Sequence, residues 1–448
     1  VISIIESVCL FLCKCTTNSS YFKKKISNFA LAMKYNTTRL LNGLRIIHLP
    51  SASPVVYCGY EINAGSASEE PIEGGIAHFC EHATFKGTQR RDSLDIIRCL
   101  ENVGGDLNAY TTKTTTVYHS AILSDQFPLA VDLLSDIVFR SVYPQKEIEK
   151  EVEVICDEIE SYNDSPAELI YDEFENLLFK GLPLGHSILG TSEVVRQFTS
   201  ADAQRFTNKY YRPDNAIFFV YGNVEFSQVV ALLQQHTESI VPPNALCIGY
   251  TEDATNTLTK IEDTYEPSTI VVDKKTHQAH VMMGTRSYSV HDERRIALYL
   301  LNNILGGPGM STRLNLSLRE QNGLVYSVES TFASFSAMGM WSTYFGCDPQ
   351  DTNKCIALVR KEFDKVMQDP LSDAELDRAK HQIKGQIGIA CDSRENFALD
   401  FGKSFLHFGW EKDITSLYAQ IDAVTATDIQ NVANDLFVND KLTTLIYK

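Results

Sequence analysis

The alternation of apolar and polar positions predicts both strands and helices along this chain. Residues 44–49 and 55–62 are apolar runs on either side of a Ser/Pro turn at 51–54. Such a pattern is typical of two strands joined by a short turn, so we expect a hairpin with one buried face. The next periodic segments change to helical spacing. The sequence therefore predicts a mixed fold rather than an all-helical or all-strand one.

Two segments show apolar stripes at helical spacing. At 93–103 the predicted stripe is Leu94, Ile97 and Leu100, and a Gly pair at 104–105 ends the helix. At 145–161 the apolar positions fall at 0, 4, 7 and 11, and they are Ile148, Val152, Ile155 and Ile159. At about 100° per residue, Glu151 and Glu158 lie together on one flank of the second stripe. Most other acids of this segment point to the far side: Glu149, Glu153, Asp157 and Glu160.

The segment 74–88 carries the strongest candidate chemistry, His78-Phe79-Cys80-Glu81-His82. On a helix, His78 and His82 lie four residues apart on one face, so two imidazoles can bind one metal ion. Glu81 lies at the same end of that face. Two neutral imidazoles suit zinc, and a nearby carboxylate is what a hydrolytic general base requires. This is the H-x-x-E-H arrangement.

The context of this pattern favours a helix with a buried stripe. Small residues and a Gly pair precede it, Gly87 stops it, and its predicted core-facing residues are Ile76, Phe79 and Ala83. The alternative is a helix whose two histidines and glutamate lie on a half-exposed face without a metal. Catalytic zinc needs a third protein ligand beside an open position, and Glu151 or Glu158 is placed to supply it.

Residues 106–123 predict a second hairpin-like region with an unusually polar strand. The segment 111–116 is rich in Thr, and it leads into an apolar run at 117–121. A strand with a polar face suits the edge of a sheet better than its centre. Sheet edges bind extended peptides by adding a strand. A solvated edge without a ligand is the alternative.

Short patterns recur at a near-constant offset. Thr-x-x-Asp at 199–202 and again at 425–428 opens a predicted helix that leads to a strand, and Glu-Ile-Glu at 147–149 resembles Glu-Leu-Asp at 375–377. Two similar halves of about 220 residues fit these offsets. We predict an N-terminal metal-binding half at 33–240, a linker at 241–267, and a C-terminal half at 268–448.

The predicted C-terminal half lacks the metal-binding pattern. Gln386 stands where the repeat places the counterpart of Glu158, and the half contains no H-x-x-E-H. The turn Gly306-Gly307-Pro308-Gly309 precedes a predicted helix at 311–322. This turn lacks the spacing of a phosphate-binding loop, so phosphate binding is not expected.

Residues 1–32 differ in composition from the rest of the chain. An apolar patch at 8–12 comes before the basic run at 23–25, which reverses the order found in a secretory signal. A mitochondrial presequence is the other possibility, although no arginine precedes Arg39. We expect an extension outside the fold, with Met33 as a possible alternative start.

Composition and charge restrict the classes of partner. The net charge is -17, from 40 basic and 57 acidic side chains, which argues against nucleic acid and permits basic peptides. No apolar run approaches the roughly 20 residues that a membrane span needs. The 11 cysteines are odd in number and dispersed, which is typical of reduced thiols. We predict a cytoplasmic location, with the mitochondrial matrix as the alternative.

Taken in order, these motifs resemble those of the pitrilysin (insulinase) family of zinc metallopeptidases, and specifically its processing-peptidase branch. The resemblance runs from about Met33 to the C-terminus. The residues that carry it are His78 to His82, Glu151 and Glu158, Gly105-x-x-Asn108-Ala109, Asp164-Ser165-Pro166, Pro183-Leu184-Gly185-His186 and Arg319-x6-Tyr326.

The resemblance implies an α+β fold with two homologous α/β-sandwich halves, each a mainly antiparallel sheet flanked by helices. It implies one zinc ion per chain, held by His78, His82 and Glu158. Glu81 matches the family's general base. Glu151 matches a supporting glutamate that orients a ligating histidine.

The resemblance also implies how substrate is held. Asn108, Ala109 and Tyr110 lie on the family's substrate-binding edge strand, and Arg319 and Tyr326 resemble residues that reach the substrate from the second half. In the family, two subunits enclose a chamber. We therefore expect peptide substrates, and a homodimer or a heterodimer with an inactive paralogue.

The predicted function is zinc-dependent endopeptidase activity on extended peptides or unfolded segments. The alternative is a non-catalytic or regulatory subunit, since some family members have lost the zinc site. A purely structural zinc would instead need a closed four-ligand site. Cys80, where many relatives carry an aliphatic residue, departs from the family pattern, and we expect thiol reagents to affect activity if its side chain is accessible.

Overall fold

A computed structural model describes residues 33–240 and 265–448, named here the first half and the second half. The predicted extension at 1–32 and almost all of the predicted linker at 241–267 lie outside the described residues. Within the described residues, no helix combines the length and the apolar character needed to cross a membrane.

The first half contains a six-stranded sheet in the order β1-β2-β6-β3-β5-β4. Its strands are β1 (Asn36–Arg39), β2 (Arg45–Pro50), β3 (Val55–Ile62), β4 (Asp106–Thr111), β5 (Thr116–Leu123) and β6 (Ala216–Gly222). The pair β4 and β5 forms the predicted hairpin, and β4 is an edge strand as its polar pattern predicts.

The predicted hairpin of β2 and β3 is wrong. Both strands exist, but β6 lies between them, parallel to β2 and antiparallel to β3. β6 is a continuous apolar run that is buried along almost its whole length, and such a run is stabilised at the centre of a sheet. The four-residue connection can reach about 13 Å, which is enough to pass two strand spacings of about 5 Å each.

Among the described residues, the first half contains eight helices. They are α1 (Ile76–Thr84), α2 (Ser93–Glu101), α3 (Phe127–Arg140), α4 (Gln145–Asn163), α5 (Pro166–Leu178), α6 (Ser192–Val195), α7 (Ser200–Tyr210) and α8 (Phe226–Thr237). The predicted stripes of α1 and α4 are buried and belong to one apolar core with β3 and β5.

The predicted stripe of α2 is only partly right. Leu100 is buried, but Leu94 and Ile97 are 54% and 46% exposed, and Ile96 takes the other core position. The helix packs against α3 and β4 along one narrow face. Residues four apart share such a face, whereas Leu94 and Ile97 lie on the neighbouring face.

The second half contains a five-stranded sheet in the order β7-β11-β8-β10-β9. Its strands are β7 (Thr269–Val272), β8 (Ala279–Ser287), β9 (Val325–Ser334), β10 (Gly339–Cys347) and β11 (Thr443–Tyr447). This order repeats β2-β6-β3-β5-β4 of the first sheet, including the one parallel pair, β11 with β7.

The helices of the second half follow the same sequence of elements. They are α9 (Arg295–Gly306), α10 (Thr352–Gln368), α11 (Asp373–Asp392), α12 (Arg394–Phe408), α13 (Ile414–Ala423) and α14 (Ala426–Leu436), with one π-helical turn at Asn315–Glu320 inside the predicted helix 311–322. The two Thr-x-x-Asp patterns form capping boxes at the starts of α7 and α14. By order, α9 is the counterpart of α1, α11 of α4, and α12 of α5.

Each half lends one helix to the sheet of the other. Apolar residues of α5 pack on the second sheet, and apolar residues of α12 pack on the first. An arginine from the covered sheet meets each helix end: Arg45 donates to the carbonyl oxygens of Phe405 and Leu406 at 2.8 Å each, and Arg286 donates to that of Leu178 at 2.6 Å. Cations stabilise the C-terminal ends of helices, so the exchange is fixed by charge as well as by apolar packing.

Candidate metal and catalytic site

The start of α1 is fixed by a buried carboxylate. Glu69 accepts hydrogen bonds from the backbone N–H groups of Gly75 and Ala77, both at 2.9 Å. The second contact of this carboxylate is His186, whose Nε2 lies 3.0 Å from Glu69 Oε2. A carboxylate at this end satisfies N–H groups that have no partner within the helix and complements the helix dipole. Glu69 thereby sets the orientation of α1, and the sequence analysis missed it.

The glycines before α1 permit a close approach of two backbones. Gly75 has a φ of +95°, and a Cβ there would lie 2.6 Å from the carbonyl oxygen of Leu189. Gly190 has a φ of +71°, and a Cβ there would lie 2.3 Å from the carbonyl oxygen of Gly74. Both positions therefore favour glycine, because the positive φ suits glycine and because a side chain would collide with the neighbouring backbone.

The structure brings His78, His82 and Glu158 together. One ligand atom from each of the three lies within 4.8 Å of the others. Glu158 Oε2 lies 3.8 Å from His78 Nε2 and 3.5 Å from His82 Nε2. The two histidines project from one face of α1, and Glu158 reaches them from the flank of α4, as the helical spacing predicts. Glu158 is the acid that reaches both histidines.

Glu151 contacts the other side of His82. Its Oε1 lies 2.9 Å from His82 Nδ1, and its Oε2 lies 2.5 Å from Lys86 Nζ. Burial raises the pKa of Glu151, but the hydrogen bonds from His82 and Lys86 outweigh it, so the pKa lies below its ordinary value. A charged Glu151 accepts the Nδ1 proton and leaves Nε2 as the lone-pair atom facing Glu158. Lys86 was not identified from the sequence.

Glu81 has the opposite electrostatic environment. Its carboxylate is buried, and Oε2 accepts a hydrogen bond of 2.6 Å from Thr111 Oγ1 on β4. Burial raises the pKa of Glu81, and the contacts with Thr111 and His82 oppose the shift only in part. A carboxylate with a raised pKa suits proton transfer near neutral pH.

The donor set fits zinc. Burial, and then the neighbouring His82, lowers the pKa of His78 to about 3, so its imidazole stays neutral, which is the form that binds metal. His78 Nδ1 is buried and has no hydrogen-bond partner among the described residues. Two imidazole nitrogens and one carboxylate make three protein ligands, as in catalytic zinc sites with an open position. Glu158 is 46% exposed, so that position is reachable from solvent.

The edge strand β4 presents two different faces. Because side chains alternate along a strand, Thr111 and Ala109 lie on the face towards α1, whereas Asn108 and Tyr110 lie on the other. Tyr110 packs against the apolar cluster formed with α12. Of the predicted substrate-binding residues, only Ala109 shares the face of Glu81. Thr111 was missed, although the alternation pointed to it.

Arg319 and Tyr326 lie in the second half. Arg319 is near the end of the π-helical turn, and Tyr326, 84% exposed, is the second residue of β9. The guanidinium carbon of Arg319 lies 5.8 Å from the centroid of the Tyr326 ring. Among the described residues, no hydrogen bond or ion pair joins either side chain to His78, His82 or Glu158.

Cys80 is not accessible. It is fully buried, and its thiol points to the carbonyl oxygen of Ala203 on α7 at 3.9 Å. Two residues along a helix correspond to about 200°, so Cys80 faces the core while His78 faces the metal site. Burial raises the pKa of the thiol well above its ordinary value. Because the thiol is not accessible, thiol reagents are not expected to affect activity through Cys80.

Two family profiles match consecutive parts of the chain. The profile of the insulinase family (peptidase family M16) matches residues 46–192, which include α1 and α4. The profile of the peptidase M16 inactive domain matches residues 197–383. The metal-site residues therefore lie in the first matched part.

Two solved structures have the same fold. A protease from Helicobacter pylori aligns with a TM-score of 0.82 at 23% identity, covering 93% of this chain and 100% of that one. The peptidase M16 inactive domain from Pseudomonas fluorescens aligns with a TM-score of 0.79 at 21% identity, covering 93% and 98%.

Relatives of known sequence cover almost the whole chain. An uncharacterized zinc protease of Streptomyces coelicolor is 33% identical over 404 residues, which are 89% of this chain and 86% of the relative. The uncharacterized zinc protease YmxG of Bacillus subtilis is 30% identical over 407 residues, which are 90% and 96%. With the matching profiles, these relatives show that the chain belongs to the insulinase family, peptidase family M16.

Proposed function

We propose that this chain is a zinc-dependent endopeptidase that hydrolyses extended peptides or unfolded polypeptide segments. The observation that carries the proposal is the convergence of His78, His82 and Glu158 beside the buried carboxylate of Glu81. Three protein ligands leave a fourth position open, as in catalytic rather than structural zinc sites. The similar chains named above are zinc proteases, which also favours hydrolysis.

The three ligands would hold one zinc ion per chain. Bound there, zinc supplies Lewis-acid chemistry, which polarises a carbonyl and lowers the pKa of water. Glu151 acts through His82: its hydrogen bond fixes the ring so that Nε2 faces Glu158. Lys86 keeps Glu151 charged in that position.

Glu81 is the proposed general base. Its raised pKa lets it take a proton from an attacking water and later give that proton to the leaving amine. Thr111 donates to one carboxylate oxygen, which leaves the other oxygen for the transferred proton. The side chain of Thr111 thus links the base to the edge strand, where substrate is expected.

The proposed substrate position is the free edge of β4. An extended peptide added to this edge would run past Ala109 and Thr111 on the face of Glu81. Asn108 and Tyr110 would contribute backbone groups, since their side chains lie on the other face. Main-chain pairing makes few demands on side chains, which suits unfolded segments.

Arg319 and Tyr326 are proposed to hold the substrate from the second half. Tyr326 is 84% exposed and the side chain of Arg319 is 39% exposed, so a ligand can reach both. Their role, the chamber and the assignment to the processing-peptidase branch follow from the resemblance described above. A homodimer, or a heterodimer with an inactive paralogue, remains the proposed assembly.

A cytoplasmic location also stays a prediction. The relatives named above are bacterial, which gives no support to the mitochondrial alternative.

The second candidate function is a non-catalytic subunit. It is favoured by the match of residues 197–383 to a domain described as inactive. The metal-site residues lie outside that match, and all of them are present, so we prefer the enzyme.

The test is size-exclusion chromatography of the chain alone, with zinc content and cleavage of an unstructured basic peptide measured on the same peak. Cleavage that follows the zinc-containing peak supports the enzyme. Zinc without cleavage, in the single chain and in a reconstituted complex, would contradict it.

A further inference from the structure

A lysine is buried in the turn between β4 and β5. The side chain of Lys113 is 4% exposed, and its ammonium group lies 3.1 Å from Asn176 Oδ1 and 3.5 Å from Asp172 Oδ1. Its third contact is the backbone carbonyl oxygen of His186. Lysine is almost never fully buried unless it is paired, because a buried charge costs free energy. Among the described residues, no hydrogen bond or ion pair joins Lys113 to a proposed metal ligand or to Glu81, so the roles assigned above do not explain it.

His186 connects Lys113 to the metal-binding helix. Its carbonyl oxygen accepts from the ammonium group of Lys113, and its ring Nε2 lies 3.0 Å from Glu69 Oε2. Glu69 in turn accepts from two backbone N–H groups at the start of α1, at 2.9 Å each, and one of them belongs to Ala77, directly before the ligand His78. A path of two residues therefore leads from the buried ammonium group to α1.

The other partners of Lys113 belong to a helix that is held firmly. Asp172 and Asn176 lie on α5, whose apolar residues pack on the second sheet. The loop that follows α5 lies close to the end of that helix, since a Cβ on Gly185 would lie 2.1 Å from the carbonyl oxygen of Phe179. Lys113 therefore fixes the carbonyl group of His186 relative to a helix that both halves contact.

The backbone of the same turn contacts the segment that leads to Glu69. The N–H group of Ala67 donates to the carbonyl oxygen of Lys113 at 2.7 Å, and that of Ser66 donates to the carbonyl oxygen of Thr112 at 3.1 Å. A substitution at Lys113 keeps these backbone contacts and removes only those of the ammonium group. The effect of such a substitution can therefore be assigned to the path through His186.

We propose that Lys113 is a positioning residue for the metal site. Through His186 and Glu69, it fixes the orientation of α1 and thereby the positions of the two histidine ligands. Metal affinity depends on groups that orient the ligands, because the ligand atoms must be held in one geometry. The inference rests on the proposed function, since it assigns a support to the same site. If Lys113 stabilises only the fold, its loss lowers the melting temperature and leaves metal affinity unchanged.

The test is the metal affinity of Lys113→Met, which keeps most of the side-chain length and removes the ammonium group. Competition with a chelator of known affinity measures Zn²⁺ binding to the purified full chain. We expect the affinity to fall about tenfold, at the lower end of the range for residues that support ligands. The visible absorption of bound Co²⁺, which depends on ligand geometry, should change as well. Neither measurement depends on peptide hydrolysis.

The second half offers a matched control. Lys412 is also 4% exposed and is paired with the buried carboxylate of Asp400. Removing one partner of a buried ion pair is destabilising, so Lys412→Met should lower the melting temperature as Lys113→Met does. It should leave Zn²⁺ affinity and the Co²⁺ spectrum unchanged.

A double variant tests the path itself. His186→Phe removes the ring nitrogen that contacts Glu69 and keeps the carbonyl group that accepts from Lys113. If Lys113 acts through His186, the double variant should lose no more affinity than either single variant. Independent effects of about tenfold each would multiply to about a hundredfold.

Unchanged Zn²⁺ affinity in Lys113→Met, an equal loss in Lys412→Met, or multiplied losses in the double variant would overturn the inference. If Lys113→Met does not fold, Asn176→Ala takes its place, because it removes one acceptor and keeps the charge. It should lower the affinity by a smaller factor, and an unchanged affinity would again overturn the inference. If the unmodified chain binds no Zn²⁺, the proposed function fails together with this inference, which distinguishes the two failures.

Discussion

The two halves of this chain build the same sheet and fill the adjoining space differently. Between α1, α4 and β4, the first half places two histidines and three glutamates within reach of one another. Between α9, α11 and β9, the second half has a cavity with amide, hydroxyl and carboxylate groups and with Gln386 at the counterpart of Glu158. The same backbone arrangement therefore carries the proposed metal ligands in one half and an open cavity in the other.

A second difference lies on the opposite face of each sheet. Glu61 and Arg286 occupy equivalent positions, each two residues after a glycine, Gly59 or Gly284, that lies close to the next strand. Arg286 donates to the end of α5, whereas Glu61 is fully buried against α12 with no partner among the described residues. The equivalent position below the exchanged helix thus holds an acid in the first half and a base in the second. Only the acid, Glu61, is buried without a hydrogen-bond partner among the described residues, so the loss of stability falls on the first half.

The largest expected effect comes from making the first half resemble the second. Glu158→Gln copies Gln386 into the metal site and replaces a charged ligand with a neutral amide. We expect loss of bound zinc and of cleavage, measured by metal analysis and peptide hydrolysis on the purified chain. Gln386→Glu is the matched control: α9 offers no histidine opposite it, so zinc content should not change. Retention of zinc by Glu158→Gln would contradict the assignment.

A smaller effect is expected at Glu151, which touches a ligand and not the metal. Glu151→Gln keeps a hydrogen-bond acceptor for His82 but removes the charge that also binds Lys86. Zinc affinity should fall by about 10–100-fold, the usual range for such supporting residues. Competition with a chelator of known affinity measures this. Glu153→Gln, on the exposed face of α4, should match the unmodified chain; an equal loss in both variants would count against the positioning role.

These expectations also show what the sequence could predict. Helical periodicity was sufficient to predict two features, because each is a property of a single helix. They are the shared face of His78, Glu81 and His82 and the shared flank of Glu151 and Glu158. The position of β6 between β2 and β3 depends on pairing between distant segments. The local pattern does not contain this information and wrongly predicted that β2 and β3 pair with each other. Lys86 and Glu69 act through contacts between distant segments, and nothing in their own neighbourhoods distinguishes them. Alternation along β4 places Thr111 on the face of Ala109, but its contact with Glu81 also joins distant segments. The repeat predicted two halves but not that they exchange α5 and α12.

The exchange of helices can be tested by stability. Arg45→Ala removes the donors to Phe405 and Leu406, and Arg286→Ala removes the donor to Leu178. Each should lower the free energy of unfolding by about 1.5–3 kcal/mol, the range for hydrogen bonds from charged groups. Urea denaturation measures the change, and Arg98→Ala, at an exposed position of α2, is the control. A negligible effect of both variants would show that apolar packing alone fixes α5 and α12.

The smallest effect concerns Glu61. Burial raises its pKa well above the ordinary value, and nearby Lys403 opposes the shift only in part. The folded chain therefore keeps this proton to higher pH than the unfolded chain does. The free energy of unfolding should decrease as pH rises from the ordinary glutamate pKa, about 4.3, through the raised value.

Glu61→Gln is uncharged at every pH and should reduce that decrease. Urea denaturation at several pH values between about 5 and 8 measures the slope. Glu101→Gln, at an exposed position, is the control and should keep the slope of the unmodified chain. A slope that Glu61→Gln leaves unchanged would mean that other groups cause it.

The most direct test of the central claim is the zinc content and hydrolysis rate of Glu81→Gln. The substitution keeps an acceptor for Thr111 and leaves His78, His82 and Glu158 untouched. We predict that zinc stays bound while peptide cleavage falls by at least about 100-fold, the loss expected when a general base is removed. Cleavage at the unmodified rate by the zinc-loaded variant would contradict the assignment of Glu81 as the base.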